Sequence, residues 1–190
     1  MTTTGETHGR PLLWYAMSSP YGRERMAEEA LRQRNVECFV PKKRVETIDA
    51  KSNRVVRYVP VIRNLIFVRS TEDGMRRLKP QMNQLIQFLM CPSPAGNKVP
   101  VIVPDKQMAD FIRLYMSMPD ELVYLSPDEI HGLKENARVV IGDGVFQGLE
   151  GYYQRIEGKR QKRFIVKIED FIACAALIVD CNFIKLPKGK

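Results

Sequence analysis

Four glycines crowd the stretch VVIGDGVFQGLEGYY (139–153): Gly142, Gly144, Gly148 and Gly151. Such a run serves either to cradle a phosphate with backbone N–H groups or to let strands bend and approach closely. A phosphate-binding P-loop continues into Lys and Ser/Thr and then a helix. Here Gly148 leads into Leu149, Glu150 and two tyrosines, which excludes that chemistry and leaves a bend between strands. Histidine chemistry has little material. His8 stands in a polar stretch and His131 beside Gly132, and both read as solvated loop residues. Cys38, Cys91, Cys174 and Cys181 form no paired zinc-ligand spacing and no Cys-x-x-Cys, so they read as reduced thiols, buried or nearly so. Asp and Glu are scattered, and no Ser or Cys is paired with a His. The expectation is a binding protein with no catalytic residues, metal or cofactor.

Charge points to what is bound. Residues 1–117 carry 19 Lys/Arg against 11 Asp/Glu, 118–133 carry none against 4, and 134–190 carry 11 against 7. This basic, acidic, basic order fits two modules that face polyanions, joined by a segment that does not. The first ten residues have no apolar stretch and no run of 18 apolar residues exists, so a cytoplasmic protein without a membrane span is expected.

The elements that must position these groups follow from periodicity. LLWYAM (12–17) reads as a buried strand. A helix follows over 23–34, with Met26, Ala27, Ala30 and Leu31 on one face, Arg25, Glu28, Glu29 and Arg32 on the other, and Asn35 as its stop. VECFVP is a short strand. KKRVETIDAKSNRVVRY (42–58) alternates as a basic hairpin around a turn-prone DAKSN. NLIFVR is a central strand, TEDGMRRLK a short helix, and LIQFLM and VPVIV further strands. A last helix starts near Asp105, with Met108, Phe111, Ile112 and Tyr115 at helical spacing. The order gives an α+β fold with an antiparallel sheet flanked by helices over 12–117. The proline-rich, acidic 118–133 reads as a linker. Five short β-rich runs over 134–187 then read as a small SH3-like barrel.

Gly144, Phe146, Gly148 and Gly151 stand in a spacing that resembles the KOW motif of NusG-type transcription factors and some ribosomal proteins. WYAMSSPYGRE (14–24) is similar to the opening of a NusG N-terminal domain, NLIFVR to its central strand, and VPVIVPDKQMADFI (99–112) to its closing strand and helix. Where general NusG proteins carry Pro-Gly-Tyr, this chain has Arg63, Asn64 and Leu65. That substitution resembles the specialised RfaH- and UpxY-type paralogues, the latter antiterminators of capsular polysaccharide operons.

The resemblance implies a transcription elongation or antitermination factor that docks on the clamp helices of the RNA polymerase β′ subunit and suppresses pausing. Matching positions assign that contact to Leu65, Phe67, Met108 and Phe111, and Phe67→Asp is then expected to abolish binding with the fold intact. Arg23, Arg25, Lys51, Arg54 and Arg57 would face non-template DNA or nascent RNA, with Tyr21 as the aromatic for stacking. Phe146 and Phe171 would meet Rho or a small-subunit ribosomal protein, whereas Phe183 reads as core. The alternatives are a housekeeping NusG and, in another class, a KOW-containing ribosomal RNA binder, which leaves 12–117 without a role.

Overall fold

The computed structural model describes residues 10–118, 122–125, 138–155, 162–168, 172–175 and 184–186. The chain begins with strand β1 (Leu13–Ser18), a 3-10 turn (Pro20–Gly22) and helix α1 (Glu24–Arg32). Strands β2 (Glu37–Phe39), β3 (Lys42–Ile48), β4 (Arg54–Pro60) and β5 (Leu65–Ser70) lead to helix α2 (Glu72–Gln81). Short strands β6 (Gln87–Phe88), β7 (Met90–Pro92), β8 (Lys98–Pro100) and β9 (Ile102–Val103) precede helix α3 (Asp105–Ser117). Among the described residues that follow, the elements are strands: β10 (Val123–Leu125), β11 (Arg138–Ile141), β12 (Glu150–Arg155), β13 (Lys162–Ile168), β14 (Ile172–Ala175) and β15 (Ile184–Lys185). The α+β class, with antiparallel sheets and, among the described residues, three α-helices, is as expected.

Two compact units divide this chain: residues up to Pro41 with Ile62–Pro104, and Lys42–Val61 with the residues from Asp105 on. In the first, antiparallel strands run β2, β5, β1, β6, and β9 also pairs with β1. The pairing Tyr15↔Val68 and Met17↔Ile66 puts these four on one sheet face. There they pack with Ala27 and Leu31 of α1 and Met75 and Leu78 of α2 into one core. The opposite face carries Trp14, Ala16, Leu65 and Phe67, also buried. Because both faces are covered, β1 and β5 read as continuous apolar runs and not as alternating ones.

Helix α1 departs from its expected amphipathic pattern. Met26 is exposed, while Glu28 is buried and accepts from Arg32 at 2.8 Å. The i,i+4 ion pair lets a carboxylate take a place that apolar spacing gave to methionine. Asn35 ends the helix as expected, with φ 55 and the Val36 N–H returning to the Leu31 carbonyl at 3.0 Å.

In the second unit β3 and β4 form a separate two-stranded hairpin. The other sheet runs β10, β14, β13, β12, β11, β15. All five expected β-rich runs contribute to it, and so does Val123–Leu125, inside the stretch read as linker. Three residues are too few for a period to show, and β10 is recognisable only through its pairing with β14.

Candidate functional site

The loop after β1 is built around two left-handed residues. Tyr21 has φ 62 and Asn64 φ 60. Asn is among the few side chains that tolerate this backbone, whereas a bulky aromatic there is a true outlier. The frame explains how it persists. The buried Glu24 carboxylate accepts the Asn64 N–H at 2.5 Å, and the Asn64 side-chain oxygen accepts the Gly22 N–H at 3.2 Å. The Ser19 N–H donates to the Asn64 carbonyl at 2.8 Å, and its hydroxyl to the Leu85 carbonyl at 2.9 Å. Tyr21 is thereby held 87 % exposed, with the Arg23 guanidinium 5.4 Å from its ring centre. Arg23 is itself fixed by donation to the Gln84 carbonyl at 3.2 Å. Arg25 is exposed on the first turn of α1. Sequence reasoning named Tyr21, Arg23 and Arg25 but missed Glu24, Ser19 and Asn64 as their frame. The available signal was Asn64 immediately before a strand, a left-handed turn position.

On the hairpin, Lys51, Arg54 and Arg57 are all exposed, but the pairing separates them. Arg54 lies opposite Ile48 and shares a face with Arg44 and Tyr58, whereas Arg57 lies opposite Val45 on the other face, and Lys51 is in the turn. Tyr58 is 68 % exposed, so Tyr21 is not the sole aromatic set among basic residues. The turn is closed by Asp49, whose carboxylate accepts the Lys51 and Asn53 N–H groups at 2.8 and 2.9 Å. These bonds hold its carboxyl below the usual range, that from Asn53 first.

Leu65 and Phe67 lie in the first unit, Met108 and Phe111 in the second, and all four are buried, Leu65 at 3 % and the others at 0 % exposure. With Phe67 enclosed and its ring 6.5 Å from Phe39, an aspartate there challenges the core itself.

At the glycine corner, Gly144 and Gly148 have φ 80 and 85, the left-handed backbone a tight turn needs. Gly148 N–H donates to the Ile141 carbonyl at 2.8 Å. Gly151 serves differently. It lies within β12, where a Cβ would collide with the Ile165 carbonyl and stand 2.8 Å from the Phe164 ring. Phe146 is half-buried between the turn glycines; Phe171 and Phe183 lie outside the described residues. Arg113 of α3 donates to the Gln147 carbonyl at 3.2 Å and to that of Val145. Glu150 accepts from Arg138 at 2.9 Å and faces Lys106 at 3.4 Å. The Arg138 bond, then the nearby Lys106 charge, hold the Glu150 carboxyl low against the opposing effect of burial. Bonding to Asp110, chiefly, raises Lys106.

Among the described residues no cluster of His, Cys, Asp and Glu could hold a metal, and no helix is long and apolar enough to cross a membrane. The arrangement offers exposed cations and aromatics on fixed backbone, which is chemistry for binding.

No curated protein matches the chain. The family model described as transcription termination factor nusG matches residues 12–112, more than half of the 190-residue chain. That span contains β1 to β9, both helices packed on the first sheet, and the framed loop. Members of this family are non-enzymatic transcription factors that bind RNA polymerase, and the chain belongs to the NusG family of transcription elongation and termination factors.

Proposed function

We propose that the chain is a specialised antitermination factor that binds the clamp helices of the RNA polymerase β′ subunit and suppresses pausing on particular long operons, such as capsular polysaccharide loci. Asn64 carries this reading. It takes a left-handed backbone at the place where general relatives carry the Gly of Pro-Gly-Tyr, and adds a side-chain acceptor that ties Gly22, and with it Tyr21, into the frame. The exposed Arg25, Lys51, Arg54 and Arg57, with the half-buried Arg23, supply salt-dependent attraction to non-template DNA or nascent RNA. Polymerase contact is assigned to the apolar positions Leu65 and Phe67 and, in α3, Met108 and Phe111. In this reading residues 12–117 are the polymerase module, 118–133 the linker and 134–187 a KOW domain, whose Phe146 and Phe171 meet Rho or a small-subunit ribosomal protein. The protein works in the cytoplasm. A factor that makes clamp opening costlier by about 1.4 kcal/mol already reduces a paused population tenfold.

The test is genome-wide occupancy of the tagged protein beside that of RNA polymerase. Signal confined to one or a few long operons is the expected result. Signal following polymerase over most genes would make it a general factor, and association with ribosomes alone would replace transcription by an assembly role.

A further inference from the structure

We propose that the outer edge of β4 is a docking site for an extended acidic segment of a partner protein, which pairs with β4 as a third strand of the hairpin. The proposal goes beyond the polymerase reading and stands without it.

The main chain of the hairpin points to that edge. Both backbone groups of Lys42 are taken by the Tyr115 hydroxyl of α3, so at this residue β3 turns its N–H and C=O away from β4. At the other end the Asp49 N–H donates to the Asn53 carbonyl at 2.9 Å, so the bonded pairs fall on the odd-numbered residues of β3. Bonded and non-bonded pairs alternate along an antiparallel ladder. The register Arg44↔Tyr58, Glu46↔Val56 and Ile48↔Arg54 then turns the backbone groups of Arg54, Val56 and Tyr58 outward on β4. Pro60, opposite Lys42 and without an N–H to give, fits the same phase. Among the described residues no third strand pairs with the hairpin. The edge of β3 is stopped at its root by Tyr115, whereas that of β4 offers a row of donors and acceptors.

The side chains along this edge suit a peptide. Ile48, Val56 and Tyr58 are 73, 47 and 68 % exposed on one face, with Val56 beside Tyr58 along β4 and diagonal to Ile48. An apolar strip beside a ladder of amides recognises an extended polypeptide; phosphates use neither. Charge decides which polypeptide. Residues 42–60 carry six Lys/Arg against Glu46 and Asp49. Glu46 is paired with Arg44 at 2.9 Å, and Asp49 is held in the turn. A second copy of the hairpin would set like charges against each other. A segment alternating apolar and acidic residues lays its apolar side chains beside Val56 and Tyr58 and its carboxylates beside Arg57, which is on the other face.

The test titrates the full, nitrogen-labelled chain with a capped peptide that alternates Val and Glu, and follows backbone amides by NMR. Exchange should slow at Arg54, Val56 and Tyr58 together, while Val55 and Arg57, already bonded to β3, change little. Of two versions of the peptide N-methylated on alternate residues, the one that blocks the amides facing β4 should bind about tenfold or more weakly, and the other as the parent does. Replacing Glu by Lys in the peptide should weaken it by about tenfold as well. Val56→Pro removes an outward N–H and no ladder bond, so it should lose the peptide while the amides of Val45 and Thr47 stay protected. The N-methylated peptides decide the matter even where that variant loses the hairpin. Unslowed exchange at the three amides, or equal binding of both N-methylated versions or of the Lys peptide, overturns the proposal. Single-stranded DNA slowing the same amides more than the peptide gives this edge to nucleic acid, and a concentration-dependent dimer that slows them without peptide gives it to a second copy; either result overturns the assignment to an acidic partner.

Discussion

The phenolic oxygen of Tyr115 accepts the backbone N–H of Lys42 at 3.1 Å and donates to the carbonyl of the same residue at 2.8 Å. One side chain of α3 thus satisfies both main-chain groups where β3 begins. A lone two-stranded hairpin is marginal in water, so its root needs such an anchor. Tyr115→Phe keeps the ring and removes both bonds, leaving partly buried backbone groups to be resatisfied. The expected loss is about 1–3 kcal/mol, seen as a lower urea midpoint at unchanged slope. Amides of β3 and β4 should also exchange faster than those of β1 and β5. Equal midpoints and equal exchange would show that the hairpin root is held by other means.

The glycines of the corner should separate by mechanism. Gly144→Ala meets no atom within 4 Å but must adopt φ 80, and costs on the order of 1 kcal/mol. Gly151→Ala sets a methyl against the Ile165 carbonyl and the Phe164 ring, both fixed in the sheet. Its cost is overpacking, about 1–3 kcal/mol or more, so it melts lower than Gly144→Ala. The reverse order would mean that β12 and β13 part easily at this point.

What was legible in the sequence follows the range of the forces involved. Apolar runs and a helical stripe gave β1, β5 and α3, because burial acts on every residue of such an element. Gly144 and Gly148 were readable as turn residues because φ above zero is a local demand. Gly151 looked the same and is not, since its constraint comes from Phe164, thirteen positions on. The frame of Tyr21 had one local sign, Asn64 before β5, and its bonds were illegible for the same reason: Glu24 to Asn64 and Ser19 to Leu85 join distant residues. Glu28 misled because a partner at i+4 let it be buried.

Asp49 makes the hairpin turn sensitive to acid. Its folded carboxyl titrates below the ordinary value of 3.8, because the bonds from Asn53 and Lys51 favour the ionised form. The contribution is therefore complete above that ordinary value and is lost as pH falls through the lowered one. The Lys51 and Asn53 amide shifts should follow one titration, with its midpoint below the ordinary value, while β1 and β5 stay unchanged. Asp49→Ala should abolish that titration. Amides that move together with the whole protein would instead report global acid unfolding.

Phe67 decides whether polymerase contact and core stability can be separated. It is fully buried, paired with Ala16 across β1 and β5, and its ring lies against Phe39. Phe67→Ala should cost about 3–5 kcal/mol, enough to unfold a marginal domain, and Phe67→Asp more, since a carboxylate would be buried without a partner. Neither can report on binding by itself. Phe67→Leu keeps an apolar side chain and costs less, so its affinity for RNA polymerase can be measured where the protein remains folded. If Phe67 supports the docking surface from beneath, capture by polymerase tracks the folded fraction, and Phe67→Leu binds as the parent does at low temperature. A loss of tenfold or more with the fold intact would mean that the ring leaves the core to meet polymerase, and hence that the sheet opens on this face when the factor docks.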